Sequence, residues 1–242
     1  KYSADEVAER LRRWTASNCI RLACTSGRFF NDTITNCRRC TEDNNPNNGR
    51  SWKETQAHVF QHCTFNETLR NRRHDMIAET LHKVLVDNGI DAELETYARE
   101  INMPLRPDII VRTKNCNYLI DIKSPYDRIK NFDEARALNE AKYKDMASNM
   151  QVATQKTCIV KTFVIGALGS WDPRNTEILN RLGIPETSIV DMARTMTIQS
   201  LKDSLYIFRR HIVRRSLQGQ AFAEQEAEKE GAAEGTVGEV EA

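Results

Sequence analysis

Asp108, Asp121 and Lys123 have the residue types and spacing of a divalent-metal site that cuts phosphodiesters. Asp108 follows Pro107 and opens the apolar run Ile109-Ile110-Val111. Lys114-Asn115-Cys116-Asn117 is polar and turn-prone, and Tyr118-Leu119-Ile120 starts a second run that leads into Asp121-Ile122-Lys123. Two apolar runs around a polar turn read as a β-hairpin. Side chains alternate along a strand, so Asp121 and Lys123 share one face and Ile122 takes the other. A hairpin returns the end of its second strand to the start of its first, where Asp108 sits. The expectation is a cluster of two acids and a lysine. Two neighbouring carboxylates repel, and Mg²⁺ or Mn²⁺ relieves the repulsion by accepting their oxygens. The ion polarises a phosphate, acidifies water and steadies the leaving oxygen. Asp108 and Asp121 would hold it, with the Ile122 carbonyl as a further ligand. Lys123 would orient the attacking water or offset transition-state charge. A plain Asp121–Lys123 surface pair is the bland reading. Such a pair is worth a fraction of a kcal/mol and leaves the convergence of two acids beside apolar strands unexplained.

A second ligand set lies upstream. Cys37-x2-Cys40-x17-His58-x4-Cys63 offers three thiolates and one imidazole, which suits tetrahedral zinc. His58 fits the first turn of a helix, and the polar insert between the two pairs fits a loop. His62 competes with its neighbour Cys63 for the fourth place. The four-residue gap after His58 returns Cys63 to the same helical face, so Cys37, Cys40, His58 and Cys63 are the expected ligands. Four protein ligands leave no open position for chemistry, which makes this Zn²⁺ structural. Seven cysteines, an odd count, and an N-terminus without a secretory pattern favour thiols over disulfides and a chain that is not secreted.

Several elements must position these groups. Ser3-Ala4-Asp5-Glu6 reads as a capping box, with Val7, Leu11 and Trp14 on one face of the helix that follows. A second helix is expected from Asn66 to just before Gly89, burying Leu69, Met76, Ile77, Leu81, Val84 and Leu85. Strands are expected at 93–97, across the hairpin, and at 158–165. Helices are expected at 132–150, 174–182, 186–194 and 197–215. The order from residue 66 is helix, three strands, helix, strand, an α/β (α+β mixed) core. Around the acids, Glu79 reads either as a site residue or as part of a solvated helix face with Asp75. Arg73-His74 either contacts phosphate or braces a carboxylate. Lys142 and Tyr143 either reach the site or solvate their helix.

The net charge of +1 hides an asymmetry. The segment 217–242 carries seven acids and one lysine, a charge of −6, which leaves +7 on residues 1–216. A basic body suits a polyanionic partner, and the acidic tail has too little to bury to fold. No apolar run of roughly 18 residues is present, so no membrane span is expected, and no membrane is expected among the partners. The chain starts at Lys1 rather than methionine, as a piece of a longer protein would.

Taken together, the Cys37–Cys63 ligand set, Arg72-Arg73-His74, Arg106-Pro107-Asp108-x12-Asp121-x-Lys123, Ala141-Lys142-Tyr143 and Gly166-Ala167-Leu168-Gly169-Ser170-Trp171 resemble the C-terminal region of site-specific non-LTR retrotransposon Pol polyproteins. These elements carry a restriction-like endonuclease, and the likeness covers about residues 30–215. The resemblance implies a PD-(D/E)XK nuclease core with a preceding zinc knuckle and a reverse transcriptase upstream. It implies double-stranded chromosomal DNA as target, a nuclear site of action, and element RNA held by the upstream domains. The implied task is nicking DNA so that the new 3′-hydroxyl primes reverse transcription. Several relatives lack a lysine two residues after the second acid and recruit one from the following helix. Lys123 already fills that place here, which leaves the catalytic role of Lys142 open. The expected organisation is an N-terminal helical segment (1–30), a CCHC knuckle (31–65), the endonuclease domain (66–216) and the acidic tail (217–242). The competing reading is a zinc module that positions a polymerase on nucleic acid without cleaving it.

Overall fold

The computed structural model describes residues 36–40 and 52–212. The helix expected within 1–30, the insert at 41–51 and the acidic tail lie outside the described residues.

Helix α1 (Glu67–Asp87) forms on the predicted stripe and buries Ile77, Leu81 and Leu85 at four-residue spacing. Strands β1 (Asp91–Leu94), β2 (Ile109–Arg112), β3 (Cys116–Lys123) and β4 (Thr157–Val164) make one sheet in the order β1-β2-β3-β4. The first two pairings are antiparallel and β3–β4 is parallel. A parallel neighbour requires a crossover, which helix α2 (Ile129–Thr154) supplies. Helices α3 (Pro173–Arg181) and α4 (Glu186–Ile212) complete the fold. The expected mixed α/β class is therefore present.

The sheet is covered on both faces. Ile109, Val111, Ile120 and Ile122 pack with α1, α3 and α4, while Ile110 and Leu119 pack against Tyr143, Met146 and Met150 of α2. Burial of both faces makes β3 almost continuously apolar. Each aliphatic side chain buried this way contributes about 1.5–3 kcal/mol. Asp121 interrupts that run, 2% exposed and on the α2 face.

Three expected boundaries are corrected. The first strand is Asp91–Leu94 rather than 93–97, because Glu95 takes a left-handed φ of 45° and ends it. Helix α2 extends past 132–150 at both ends and stops at Gln155, where φ is 54°. The stretches 186–194 and 197–215 are one helix through Ile212: Met192, Met196 and Ser200 continue one buried stripe, and no Gly or Pro interrupts it.

The turn after β4 is tied to the segment after β3. Asp127 accepts the Leu168 N–H at 2.6 Å and the Ser170 N–H at 3.0 Å. A Cβ on Gly166 would overlap the Asp127 carboxylate. Gly166→Ala is therefore expected to destabilise the chain by about 2 kcal/mol, lowering Tm by roughly 4–8 °C. An unchanged Tm in a thermal melt would mean that Asp127 moves aside freely.

Candidate active site and metal centre

The pairing register sets up the acid cluster. Ile109 faces Ile120 across β2 and β3, so the next pair outward is Asp108 and Asp121. The ladder stops at Ile109, yet Asp108 stays at β3: its Oδ2 accepts the Ile122 N–H at 2.5 Å. Ile122 thus enters the cluster through its N–H. The same oxygen lies 3.2 Å from His74 Nε2 of α1. Asp108 Oδ1 has no hydrogen-bond donor among the described residues.

Asp121 is held from its other side. The Tyr143 hydroxyl donates to Asp121 Oδ1 at 2.8 Å, accepts from Lys142 Nζ at 2.8 Å and lies 3.1 Å from the Arg106 carbonyl. Lys123 pairs with Asp121 Oδ2, and Lys142 Nζ lies 3.6 Å from Oδ1. The carboxylate is nearly buried while both lysines are 40–48% exposed. The cluster therefore presents cationic amines toward solvent above an anionic floor.

The surroundings tune these groups in opposite senses. The Asp108 hydrogen bond, set against burial and helped by the Asp108 and Asp75 charges, raises His74 to about 9. Burial works against the Asp108 carboxylate, but His74, the Ile122 N–H and the Lys123 charge outweigh it and hold its pKa below the usual value. Burial and the Asp121 charge push the Tyr143 hydroxyl up, so it remains a donor.

The flanking residues separate into two groups. His74 braces Asp108, and its other nitrogen lies 3.2 Å from Asp75 Oδ1. Arg73 points away and is 1% exposed, bonding Ser204 Oγ at 2.8 Å and the Phe60 carbonyl at 3.1 Å. It ties α1 to α4 and to the knuckle. Glu79 is exposed on α1.

The four knuckle residues also meet. Cys37, Cys40, His58 and Cys63 place their ligand atoms within 4.8 Å of one another. Cys63 Sγ lies 4.0 Å from Cys37 Sγ and 3.9 Å from Cys40 Sγ, and Cys40 Sγ lies 3.3 Å from His58 Nε2. Ligands around a tetrahedral ion with Zn–S of about 2.3 Å are separated by about 3.8 Å, so the donor set and spacing fit zinc. The helical turn expected at His58 is a π-turn (His58–His62) whose Cys63 N–H bonds the His58 carbonyl at 2.8 Å. That wider turn brings residues five apart to one side. His62 is exposed and stacks on Trp52 instead. The Cys63 hydrogen bond lowers Cys37 against its burial, and the same bond raises Cys63; neighbouring thiols sharing a proton behave this way, and zinc would take both as thiolates.

Packing crosses the expected boundary at residues 65 and 66. Val59 and Phe60 share a cluster with Ala167, Ile207 and Phe208. The Tyr126 hydroxyl donates to Gln56 Oε1 at 2.5 Å, linking the segment after Lys123 to the knuckle. Two buried groups at the knuckle, Glu54 and His211, escaped the sequence reading. No local spacing marks them, since His211 lies 148 positions beyond Cys63.

No protein-family model matches the chain. Over 144 residues it is 28% identical to the "Retrovirus-related Pol polyprotein from type-1 retrotransposable element R2" of Nasonia vitripennis. The match covers 56% of this chain and 14% of that polyprotein's length. This similarity supports relating the chain to a region of a retrotransposon Pol polyprotein.

Proposed function

We propose that the chain is a divalent-metal-dependent DNA endonuclease region of a non-LTR retrotransposon Pol polyprotein, with a PD-(D/E)XK core. It nicks double-stranded target DNA in the nucleus, and the exposed 3′-hydroxyl primes reverse transcription of element RNA held by upstream domains. One observation carries this reading: the register that sets Asp108 against Asp121, with Lys123 and Lys142 on the outer side of the same cluster. Similarity to a retrotransposon Pol polyprotein supports it independently.

Asp108 and Asp121 would hold Mg²⁺ or Mn²⁺, and their carboxylate oxygens are the donors such hard cations take. When bound, the ion supplies charge that polarises the phosphate and acidifies water. The protein's own groups do the rest. His74 and the Ile122 N–H fix Asp108 through one oxygen, leaving Oδ1 for the cation. Tyr143 fixes Asp121 from the helix side. Lys123 orients the attacking water, while Lys142 approaches the same carboxylate from α2 and steadies phosphate charge. The basic body attracts the DNA backbone, and the zinc knuckle keeps its fold.

Asp121 is neutralised by two lysines, an arrangement that also suits a non-cleaving module that only positions a polymerase on nucleic acid. A plasmid-nicking assay separates the two. Purified chain given supercoiled plasmid and Mg²⁺ or Mn²⁺ is expected to produce open circles, and none with the cation chelated. Tight DNA binding without nicking in either cation would favour the positioning module.

A further inference from the structure

We propose that His211, from the last turn of α4, is a positioning residue of the zinc centre, aimed by Glu54 and orienting the Cys37 sulfur. The proposal rests on the zinc reading of the four knuckle residues and is independent of the nuclease reading.

His211 and Glu54 are both fully buried. His211 Nε2 lies 2.8 Å from Glu54 Oε1 and 3.7 Å from Cys37 Sγ, and Nδ1 lies 3.9 Å from Cys63 Sγ and 3.2 Å from Asn66 Nδ2. One ring therefore touches two of the four expected ligands; Nδ1 accepts from the Asn66 amide, which leaves the Nε2 proton facing Glu54 and Cys37. Glu54 is anchored in turn. Arg38, next to Cys37, reaches it with Nε at 2.7 Å, Nη2 at 2.9 Å and its backbone N–H at 3.2 Å. Arg39, the next residue, donates Nε to the His211 carbonyl at 3.0 Å and Nη2 to the Arg210 carbonyl at 3.3 Å. Those are carbonyls at the helix end, where intrahelical donors run out. The two residues inside the Cys37-x2-Cys40 step thus hold the carboxylate that aims the ring and the backbone that carries it.

Charge explains why such a ring belongs there. Three thiolates and one neutral imidazole around Zn²⁺ leave a net negative centre, and Glu54 adds another buried anion. A buried anion is tolerated only when it is paired and hydrogen-bonded. Arg38 answers Glu54, and His211, sharing its Nε2 edge between Glu54 and Cys37, disperses charge from the sulfur. Outer partners of this kind orient ligands and change metal affinity by about 10–100-fold. Cys37, Glu54 and His211 also place ligand atoms within 4.8 Å of one another, but Cys37, Cys40, His58 and Cys63 already make a four-ligand set, and Glu54 at 2.8 Å engages the ring nitrogen that faces Cys37. The centre consequently fastens the end of α4 to a segment far earlier in the chain, 148 positions back at Cys63.

The test uses the full chain loaded with Zn²⁺, with affinity read by competition against a chromophoric chelator, and with Co²⁺ for ligand-field and thiolate charge-transfer absorption. His211→Ala is expected to weaken Zn²⁺ binding by about 10–100-fold while the Co²⁺ spectrum stays that of three thiolates and one imidazole. His211→Gln, which keeps an N–H donor, should recover most of the affinity, and the near-isosteric Glu54→Gln should lose several-fold. Unchanged affinity in His211→Ala and Glu54→Gln would overturn the proposal. So would a Co²⁺ spectrum that loses its imidazole signature on substitution of His211, since the residue would then be a ligand. A wild-type chain that takes up neither metal would instead overturn the zinc reading beneath it.

Discussion

Asp108→Asn is expected to lower Mg²⁺-dependent nicking of supercoiled plasmid by about a hundredfold or more while changing DNA affinity less than about threefold. Removing one preorganised electrostatic group from an active site commonly costs about 10²–10³ in rate, and this substitution removes half of the carboxylate pair. The geometry makes the variant clean. The side-chain amide oxygen introduced by the substitution would still accept the Ile122 N–H that the carboxylate now accepts at 2.5 Å, so the β2–β3 edge keeps its anchor. His74 loses one of its two carboxylate partners but keeps Asp75 and lies partly in solvent, where its ring can rehydrate. What disappears is the charge that faces Asp121. DNA binding should persist because phosphates are attracted by the net positive charge of residues 1–216, which gains one positive unit. Gel-shift and nicking assays on the same preparation read both quantities. Parallel loss of binding and nicking would assign Asp108 to the fold instead of to a cation.

Zinc removal carries the second large effect. Cys63→Ser is expected to abolish stoichiometric zinc and to cost about 4 kcal/mol, or roughly 8–16 °C in Tm. Zinc binding is worth about 10–16 kcal/mol in free zinc-finger peptides. Here part of the knuckle has other support: Arg73 bonds the Phe60 carbonyl, and Val59 and Phe60 sit among Ala167, Ile207 and Phe208. The destabilisation should therefore be partial and localised. Hydrogen exchange is expected to accelerate at residues 36–40, 52–65 and the last two turns of α4, and to remain slow in β3. Exchange confined to the knuckle, with 205–212 still protected, would mean that the α4 end stands without the metal. An unchanged Tm would remove zinc from the fold altogether.

The elements easiest to read from sequence were those whose burial is periodic. Helix α1 follows its Ile77–Leu81–Leu85 stripe, and the β2–β3 hairpin follows two apolar runs around a polar turn. The hairpin alone was enough to bring Asp108 to Asp121 and Lys123, because register is a local property once the turn is set. The cluster of Cys37, Cys40, His58 and Cys63 was legible for a related reason: its residues come in two close pairs. Boundaries were harder. A left-handed Glu95 ended β1 early, and the α4 stripe ran through 195–196 where two helices were expected. Partners chosen across the fold left no sequence signal at all. Arg73 looks like a phosphate contact until Ser204 and Phe60 enclose it. Tyr143 acquires its role only when α2 lies over β3, and His211 only when α4 ends against the knuckle.

One hydrated cation shared by Asp108 and Asp121 underlies the proposed chemistry. The most direct measurement is a Mn²⁺ titration followed by electron paramagnetic resonance, on zinc-loaded chain bound to an uncleavable phosphorothioate duplex. Wild type is expected to take up Mn²⁺ at a site that both Asp108→Asn and Asp121→Asn abolish. Mn²⁺ bound equally by all three proteins, or by none, would contradict a shared cation.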